Sequence, residues 1–390
     1  MTKIVCLANS IWNTKGRSGG DVIFMEAAKR FSNEFDITVI TSVAGYSQWQ
    51  EFSQAKVKYI CLSGYFFEKY LSLAMIPLVY VLRALETLLL FRKVDFNPGT
   101  VVYSSSDFIC DTIPSAFVKL FNKRVKWISR IYHVIPAPGK REGVLLFNIL
   151  SFLAQRFSFF LIKHFSDVVL SLNDALSAEL IALNFPQKKI KVSGAGIDFK
   201  YIDKIPDCSE KVYDGVFFGR ISPQKGIYDL IKIWDIVVKN KKNARLAIIG
   251  GGSPEAIADL NKEIQGYNLK DNVDYLGYIE SLSDLYLALK KSRVYLFTDH
   301  ENGWGISVAE GMACKLAVVA YKLDIFGAVH KKGFIPVPLK DIELFAKETL
   351  FLLNNDAERD KLAREAYVQA KGYDWDNIAL ELKGIIRELN

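Results

Sequence analysis

Short apolar runs alternate with longer amphipathic stretches along the whole of this chain. KIVCLAN (3–9), FDITVIT (35–41), VKYICLS (57–63), TVVYSSS (100–106), VKWISRI (125–131), DVVLSLN (167–173) and KIKVSGAG (189–196) are rich in Val and Ile and bounded by polar residues or Gly. Such runs predict strands, and their near-continuous hydrophobicity suits parallel strands covered on both faces. Helical patterns such as GGDVIFMEAAKRFSNE (19–34) fill the gaps, so the first half reads as a doubly wound α/β domain. A polar stretch, DFKYIDKIPDCSEKV (198–212), contains Pro206 and lacks either periodicity over most of its length; it predicts the domain boundary. The pattern then restarts with GVFFG (215–219), RLAIIGG (245–251), VDYLGY (273–278), RVYLFTD (293–299) and LAVVAY (316–321). The chain is thus expected to hold one α/β domain over 1–198, a second over 212–372, and an amphipathic helix over 373–390. Ligands of such sheets bind beyond the carboxyl ends of the strands, and two domains facing each other would make a central cleft.

Composition narrows the class. The chain has 390 residues, half of them hydrophobic, enough for two cores and too long for one ordinary domain. Its net charge is +7. Between Phe117 and Phe165 nine Lys or Arg residues face one acid, Glu142. That segment is either a solvated basic face or a field for an anionic partner, such as phosphates or an anionic membrane surface. The five cysteines, Cys6, Cys61, Cys110, Cys208 and Cys314, are scattered, which fits a reducing cytoplasm and neither a disulfide framework nor a zinc site. No secretory leader pattern opens the sequence. Tyr70–Leu82 and Gly143–Gln155 are uncharged runs of 13 residues, shorter than the ~20 a membrane span needs. They read either as core helices or as helices lying in a membrane interface.

Two segments offer chemistry. In GRISPQKG (219–226) a predicted strand ends at Gly219, and Arg220 and Lys225 flank a turn that opens a helix near Ile227. Arg binds phosphate in a bidentate fashion, Lys supplies a point charge, and a helix N-terminus adds its dipole. In HENGWGISVAEGMACKLAVVA (300–320), Gly303 and Gly305 lead into a helix that carries Glu310. The glycines let backbone amides approach a ligand, and a carboxylate there can accept two hydrogen bonds from a ribose diol. Taken singly, each segment also reads as ordinary structure: two solvated loop cations, and an acid at a helix start. Asp374-Trp-Asp376 has the spacing of a metal-binding pair but opens a terminal helix, which favours a capping role. GRSGGD (16–21) lacks the end of an NTPase phosphate loop, and GAGIDF (194–199) is no dinucleotide fingerprint.

Together, GRISPQKG and ENGWGISVAEGMAC resemble the family 4 glycosyltransferases of the GT-B fold, built from two Rossmann-like domains. The resemblance extends over nearly the whole chain. It takes in Gly19 and Gly20 as a loop after the first strand, His133 after a central strand, KVSGAGIDF, and the YDW (373–375) that opens the last helix. It implies a retaining enzyme using a nucleotide sugar. Arg220 and Lys225 would bind the donor diphosphate, Glu310 the ribose, Gly19 and Gly20 the phosphates and acceptor, and His133 would lie by the transferred sugar. Gly219, Gly303 and Gly305 complete the donor loops. The first domain would bind the acceptor, the second the donor, and the last helix would return to the first domain. One departure stands out. The family's first Glu precedes the second by eight residues, which here is Asn302, whereas Glu301 lies nine before. Either side chain could contact the sugar, with Glu301 preferred.

The expected chemistry is transfer with retention, the departing diphosphate being met by Arg220, Lys225 and a helix dipole. No metal or other cofactor is required if these cations do that work. The expected partners are a nucleotide-sugar donor and a glycan or lipid-linked acceptor, with peripheral contact to an anionic membrane through 117–165 and no nucleic acid. The expected place is the cytoplasm, at the inner face of the cell membrane. A nucleotide-sugar epimerase of the same shape, or a non-catalytic subunit that binds sugar nucleotides, are the competing readings.

Overall fold

The computed structural model describes residues 1–12, 19–53, 55–64, 76–140 and 145–389. The chain divides into two compact units, Met1–Ala195 with Asp376–Asn390, and Gly196–Trp375.

The first unit is built on a seven-stranded sheet of order β3-β2-β1-β4-β5-β6-β7, parallel throughout. The strands are β1 (Lys3–Ala8), β2 (Asp36–Thr41), β3 (Lys58–Cys61), β4 (Val101–Ser104), β5 (Lys126–Arg130), β6 (Val168–Ser171) and β7 (Ile190–Val192). Helices α1 (Gly19–Phe31), α2 (Val43–Gln48), α3 (Ile76–Leu90), α4 (Ile109–Phe121), α5 (Leu145–Phe165) and α6 (Asp174–Ala182) connect them. The central strands are buried because helices cover both faces, which is why their sequence does not alternate. On one face α1 buries Phe24, Ala27, Ala28 and Phe31. Phe24 stacks on Tyr103 of β4 with ring centroids 4.2 Å apart. Each such large side chain contributes about 1.5–3 kcal/mol by leaving water.

The second unit repeats the plan with a parallel six-stranded sheet, β10-β9-β8-β11-β12-β13. Its strands are β8 (Tyr213–Phe218), β9 (Leu246–Ile249), β10 (Val273–Gly277), β11 (Ser292–Phe297), β12 (Ala317–Tyr321) and β13 (Phe334–Val337). Its helices are α7 (Phe199–Lys204), α8 (Ile227–Asn240), α9 (Pro254–Gly266), α10 (Leu282–Lys290), α11 (Ile306–Ala313), α12 (Ile325–Ala328), α13 (Ile342–Asn354) and α14 (Asp356–Ala370). The closing helix α15 (Trp375–Glu388) starts at the end of this unit. From Asp376 onward it belongs to the first, where Ala379, Leu382, Ile385 and Ile386 join the core. Arg30 grips Asp376 at 2.6 Å, and Glu34 takes Lys383 at 2.6 Å and Arg387 at 2.8 Å.

Three expectations need correction. The chain passes between units at Ala195–Gly196, and the polar stretch 198–212 lies inside the second unit, where it forms α7. Tyr373 O accepts Ile197 N at 2.8 Å and Asp374 accepts Lys200 N at 3.2 Å, anchoring that stretch where composition suggested a linker. Gly19 and Gly20 do not form a loop; they are the first turn of α1. A Cβ on Gly20 would stand 2.9 Å from the Tyr132 ring, whose hydroxyl donates to Gly20 O at 2.8 Å. Finally, β13 was not foreseen, because Pro336 interrupts FIPV; as an edge strand it tolerates the lost donor.

Candidate active site

In each sheet the strand order reverses once, between β1 and β4 in the first unit and between β8 and β11 in the second. Such a switch point opens a crevice at the carboxyl ends of the strands, where α/β proteins bind ligands. All the predicted residues of the second unit gather at its switch point.

Gly219 and Arg220 follow β8. A single turn, Pro223–Lys225, then leads to Gly226 and α8. Gly226 has φ +62°, and a Cβ there would fall 1.9 Å from Thr298 O, so only glycine fits. The loop after β11 is stitched to this turn: His300 N donates to Gln224 O at 2.9 Å and Thr298 Oγ1 to Lys225 O at 3.0 Å. Lys225 Nζ forms an ion pair with Asp299. Asp299 is 3% exposed, and burial pushes its carboxyl up against the opposing pull of Lys225 and Asn302. Arg220 is exposed and makes no hydrogen bond or ion pair among the described residues. Lys225 is therefore a shared charge, and Arg220 the cation open to an incoming anion. Neither α8 nor α11 has a side-chain cap, both being capped by glycines in the left-handed region, Gly226 and Gly305. Two helix starts thus present amides to one crevice, a site suited to phosphate oxygens.

The ambiguous pair separates. Asn302 Nδ2 donates to Asp299 Oδ2 at 2.8 Å, and its Oδ1 accepts Trp304 N at 3.1 Å and Gly305 N at 2.8 Å. Asn302 shapes the turn, whereas Glu301 is exposed with no hydrogen bond or ion pair among the described residues. Gly303 is half-buried in the same turn. Gly305 has φ +84°, and a Cβ on it would meet His330 Nε2 at 2.9 Å. His330 is buried and fixes Trp304 O at 2.9 Å, a structural task. Glu310 lies in the second turn of α11 and accepts from Tyr286 Oη at 2.7 Å. Burial, and after it the Glu310 carboxylate, push the Tyr286 hydroxyl well up, so it stays a donor that orients Glu310. Gly311 lets α11 press on β11, since a Cβ would lie 2.7 Å from Tyr295.

In the first unit Gly20 meets Tyr132, the residue before His133. Tyr132 Oη donates to Ser105 O at 2.6 Å as well as to Gly20, and His133 follows it, exposed. Gln155 of α5 holds that loop: its amide donates to His133 O at 2.9 Å and to Asp107 Oδ2 at 2.8 Å, and its carbonyl accepts Ile135 N at 2.7 Å. Burial raises the Asp107 carboxyl, opposed by nearby His133. Deeper, Asp111 accepts Asn9 N at 2.9 Å and Ser106 Oγ at 2.6 Å, and burial lifts it to about 7. Sequence reasoning missed Asp299, Tyr286, Gln155, Asp107 and Asp111. Only Asp299, at the end of a predicted strand, carried a signal. The DxD carboxylates are engaged elsewhere, Asp374 by Lys200 N and Asp376 by Arg30. His164 is exposed at the end of α5, where its Nδ1 lies 2.8 Å from Phe160 O. Among the described residues no cluster of His, Cys, Asp and Glu suits a metal ion.

Two doubly wound sheets, one with a phosphate-ready crevice at its switch point, define a GT-B-type protein. Residues 200–369, which lie in the second unit, match the family Glycosyl transferases group 1. The chain is 27% identical over 174 residues to the poly(glycerol-phosphate) alpha-glucosyltransferase of Bacillus subtilis, covering 43% of this chain and 25% of that one. It is 27% identical over 171 residues to the phosphatidyl-myo-inositol mannosyltransferase of Mycobacterium leprae, covering 43% and 44%. The chain thus spans less than half the length of these two relatives. In fold it is similar to Anabaena HepE, solved in complex with UDP-glucose, with a TM-score of 0.75 at 15% identity over 100% of both chains.

Proposed function

We propose that the protein is a retaining glycosyltransferase that moves a sugar from a nucleotide donor to a glycan or lipid-linked acceptor. The observation that carries this reading is the meeting of Arg220, Lys225, Glu301 and Glu310 at the switch point of the second sheet, between two helix starts without side-chain caps. In this reading the diphosphate lies against the amides of α8 with Arg220 as its main cation. Lys225, tethered by Asp299, supplies a second, partly offset charge, and Glu310 takes the ribose with Tyr286 holding it. The leaving diphosphate gains charge as the glycosidic bond breaks, and preorganised donors stabilise that charge without a metal. Glu301 contacts the sugar, His133 lies beside it, and no cofactor is consumed. The relatives' names, one a glycerol-phosphate polymer enzyme and the other a phosphatidylinositol enzyme, support an acceptor of the cell surface. In this reading the reaction runs at the cytoplasmic face of a membrane, touched through 117–165. No observation favours the epimerase or the non-catalytic subunit.

A thermal-shift screen of nucleoside diphosphates and their sugars tests the donor site directly. Stabilisation by one base, lost in Arg220→Ala, is expected. With that donor and an acceptor extract, Arg220→Ala should lower transfer by about 10²–10³. A folded Arg220→Ala protein with undiminished binding and turnover would remove the assignment. Conversion of the donor alone to an isomer would replace it with the epimerase.

A further inference from the structure

Helices α3, α4 and α5 pack side by side on one face of the first sheet, and each buries polar side chains among its apolar ones while leaving large apolar side chains exposed. On α5 the residues turned toward the protein include Asn148, Gln155 and Ser158, whereas Leu145, Leu146, Ile149, Leu153, Phe157 and Phe160 are exposed. Their spacing of three and four keeps them on one stripe. On α3, Arg83 and Thr87 are buried while Leu78, Val81, Leu85 and Leu89 are exposed. On α4, Asp111, Thr112 and Ser115 are buried while Phe117, Leu120 and Phe121, the last 73% exposed, face outward. A contiguous apolar surface of three helices far exceeds what a protein leaves to water without use.

Charge identifies the occupant. All three helices run back from the carboxyl to the amino ends of the strands, so their C-termini share one edge. Asn122 bonding Phe96 O at 3.1 Å and Lys189 bonding Lys163 O at 3.0 Å join those ends. Arg92, Lys93, Lys123, Arg124, Lys163 and Lys188 line that edge. The carboxylates nearby are Asp95 and Asp167, and Asp167 is held by Lys119 at 2.7 Å. On the helices themselves the carboxylates are Asp111, which is buried, and Glu86, which accepts Ser63 N at 2.6 Å. Not every cation of 117–165 belongs to this rim: Arg130 is buried, bonding Ser193 O at 2.8 Å, and Arg156 lies over Phe152.

We propose that the outer stripes of α3, α4 and α5 lie in the interface of an anionic lipid bilayer, with the basic edge on the headgroups. This deepens the membrane half of the proposed function and rests on that reading. The helices lie in the plane and do not cross. α5 has 21 residues, about 30 Å, and is apolar enough to span. Its Gln155 makes two hydrogen bonds to the loop of His133 and one to Asp107, and Ser158 shares one with Thr112 at 2.9 Å. Crossing would break all of these. A helix with polar residues inward and Leu and Phe outward suits an interfacial seat.

The test is co-sedimentation of the full chain with vesicles of phosphatidylcholine, alone or mixed with phosphatidylglycerol. Binding to the mixed vesicles that weakens with salt is expected. Leu153→Gln/Phe157→Gln should reduce partitioning about tenfold or more, from the loss of apolar insertion. Lys123→Gln/Arg124→Gln should reduce it about fivefold per cation, only on the anionic vesicles. Nucleotide-induced thermal shifts in both variants report that the fold is intact. Absence of vesicle binding by the unaltered protein, or binding indifferent to both pairs, overturns the proposal. So does a dimer in sedimentation velocity that Leu153→Gln/Phe157→Gln dissolves while no vesicle binding is seen, which would make the face a contact between copies. A nucleotide shift without vesicle binding spares the transferase reading; vesicle binding without a nucleotide shift spares the surface.

Discussion

Asn302 and Glu301 are neighbours in sequence and opposites in structure, and replacing each by Ala separates a scaffold residue from a contact residue. Asn302→Ala removes the acceptor of Trp304 N and Gly305 N and one donor to the buried Asp299. Trp304 and Gly305 are buried, so two amides lose their partner away from water, at about 1 kcal/mol or more each. Asp299 keeps Lys225 but loses its neutral donor, about 1 kcal/mol further. The sum is about 3 kcal/mol. For a unit of this size, about 2–4 °C per kcal/mol, the second unit should melt about 6–12 °C lower. Glu301→Ala removes an exposed side chain and should change stability by less than about 0.5 kcal/mol. Under the proposed function it should nonetheless lower transfer. Asn302→Asp keeps the acceptor for both amides but sets a second carboxylate against Asp299, so its deficit should grow as pH rises. Scanning calorimetry of the three variants decides. An Asn302→Ala protein melting with the wild type, or a Glu301→Ala protein losing as much, would refute the argument that Asn302 builds this turn.

Three further outcomes follow from the geometry. Lys225→Ala strands the Asp299 carboxylate and should cost about 3–5 kcal/mol; Lys225→Ala/Asp299→Asn should recover most of that in denaturant unfolding while leaving donor binding impaired. Acidification from pH 7 to 5 should move the two units in opposite directions. Asp111, near 7 folded and about 4 unfolded, binds its proton earlier in the native state and stabilises the first unit by about 2 kcal/mol on acidification. His330, near 4 folded because burial disfavours its charge and about 6.5 unfolded, costs the second unit about 2 kcal/mol over the same range. Hydrogen exchange at β4 and β12 reads the two separately, and Asp111→Asn should flatten only the β4 trend. Gly226→Ala, with a Cβ forced onto Thr298 O at φ +62°, should unseat the turn between Arg220 and α8 and abolish nucleotide-induced stabilisation in the thermal-shift assay.

The sheets were legible because parallel strands buried on both faces carry their signal in every residue, as KIVCLAN and LAVVAY do. β13 escaped because its signal passes through Pro336. The donor crevice was legible as two motifs, and the fold explains why they meet: β8 and β11 are sheet neighbours though far apart in sequence. What the motifs could not convey is that Lys225 is already engaged. Asp299 reads in sequence as the end of an apolar run, and only the pairing of β8 with β11 brings its carboxylate to Lys225 Nζ. Gln155 was hidden for a related reason. A glutamine inside an apolar helical run looks like a tolerated polar residue, and its three partners lie in segments 20 and 48 residues away.

The face of α3, α4 and α5 marks a deeper limit of pattern reading. Periodicity locates a stripe on a helix but not the direction it faces, and the usual inference assigns the apolar stripe to the core. Here that assignment holds only in part, since α5 buries Asn148, Gln155 and Ser158 beside Phe159 and Ile162 and exposes Leu145, Leu146, Leu153, Phe157 and Phe160. The arrangement is tolerable only because every inward polar group finds a use. Ser158 meets Thr112 on α4, Arg83 of α3 donates to Asn9 O at 2.5 Å and Ile11 O at 3.2 Å, and Gln155 clamps the loop of His133. An unpartnered buried amide or guanidinium would cost more than the helix gains. Of these groups Gln155 alone ties α5 to the loop of His133.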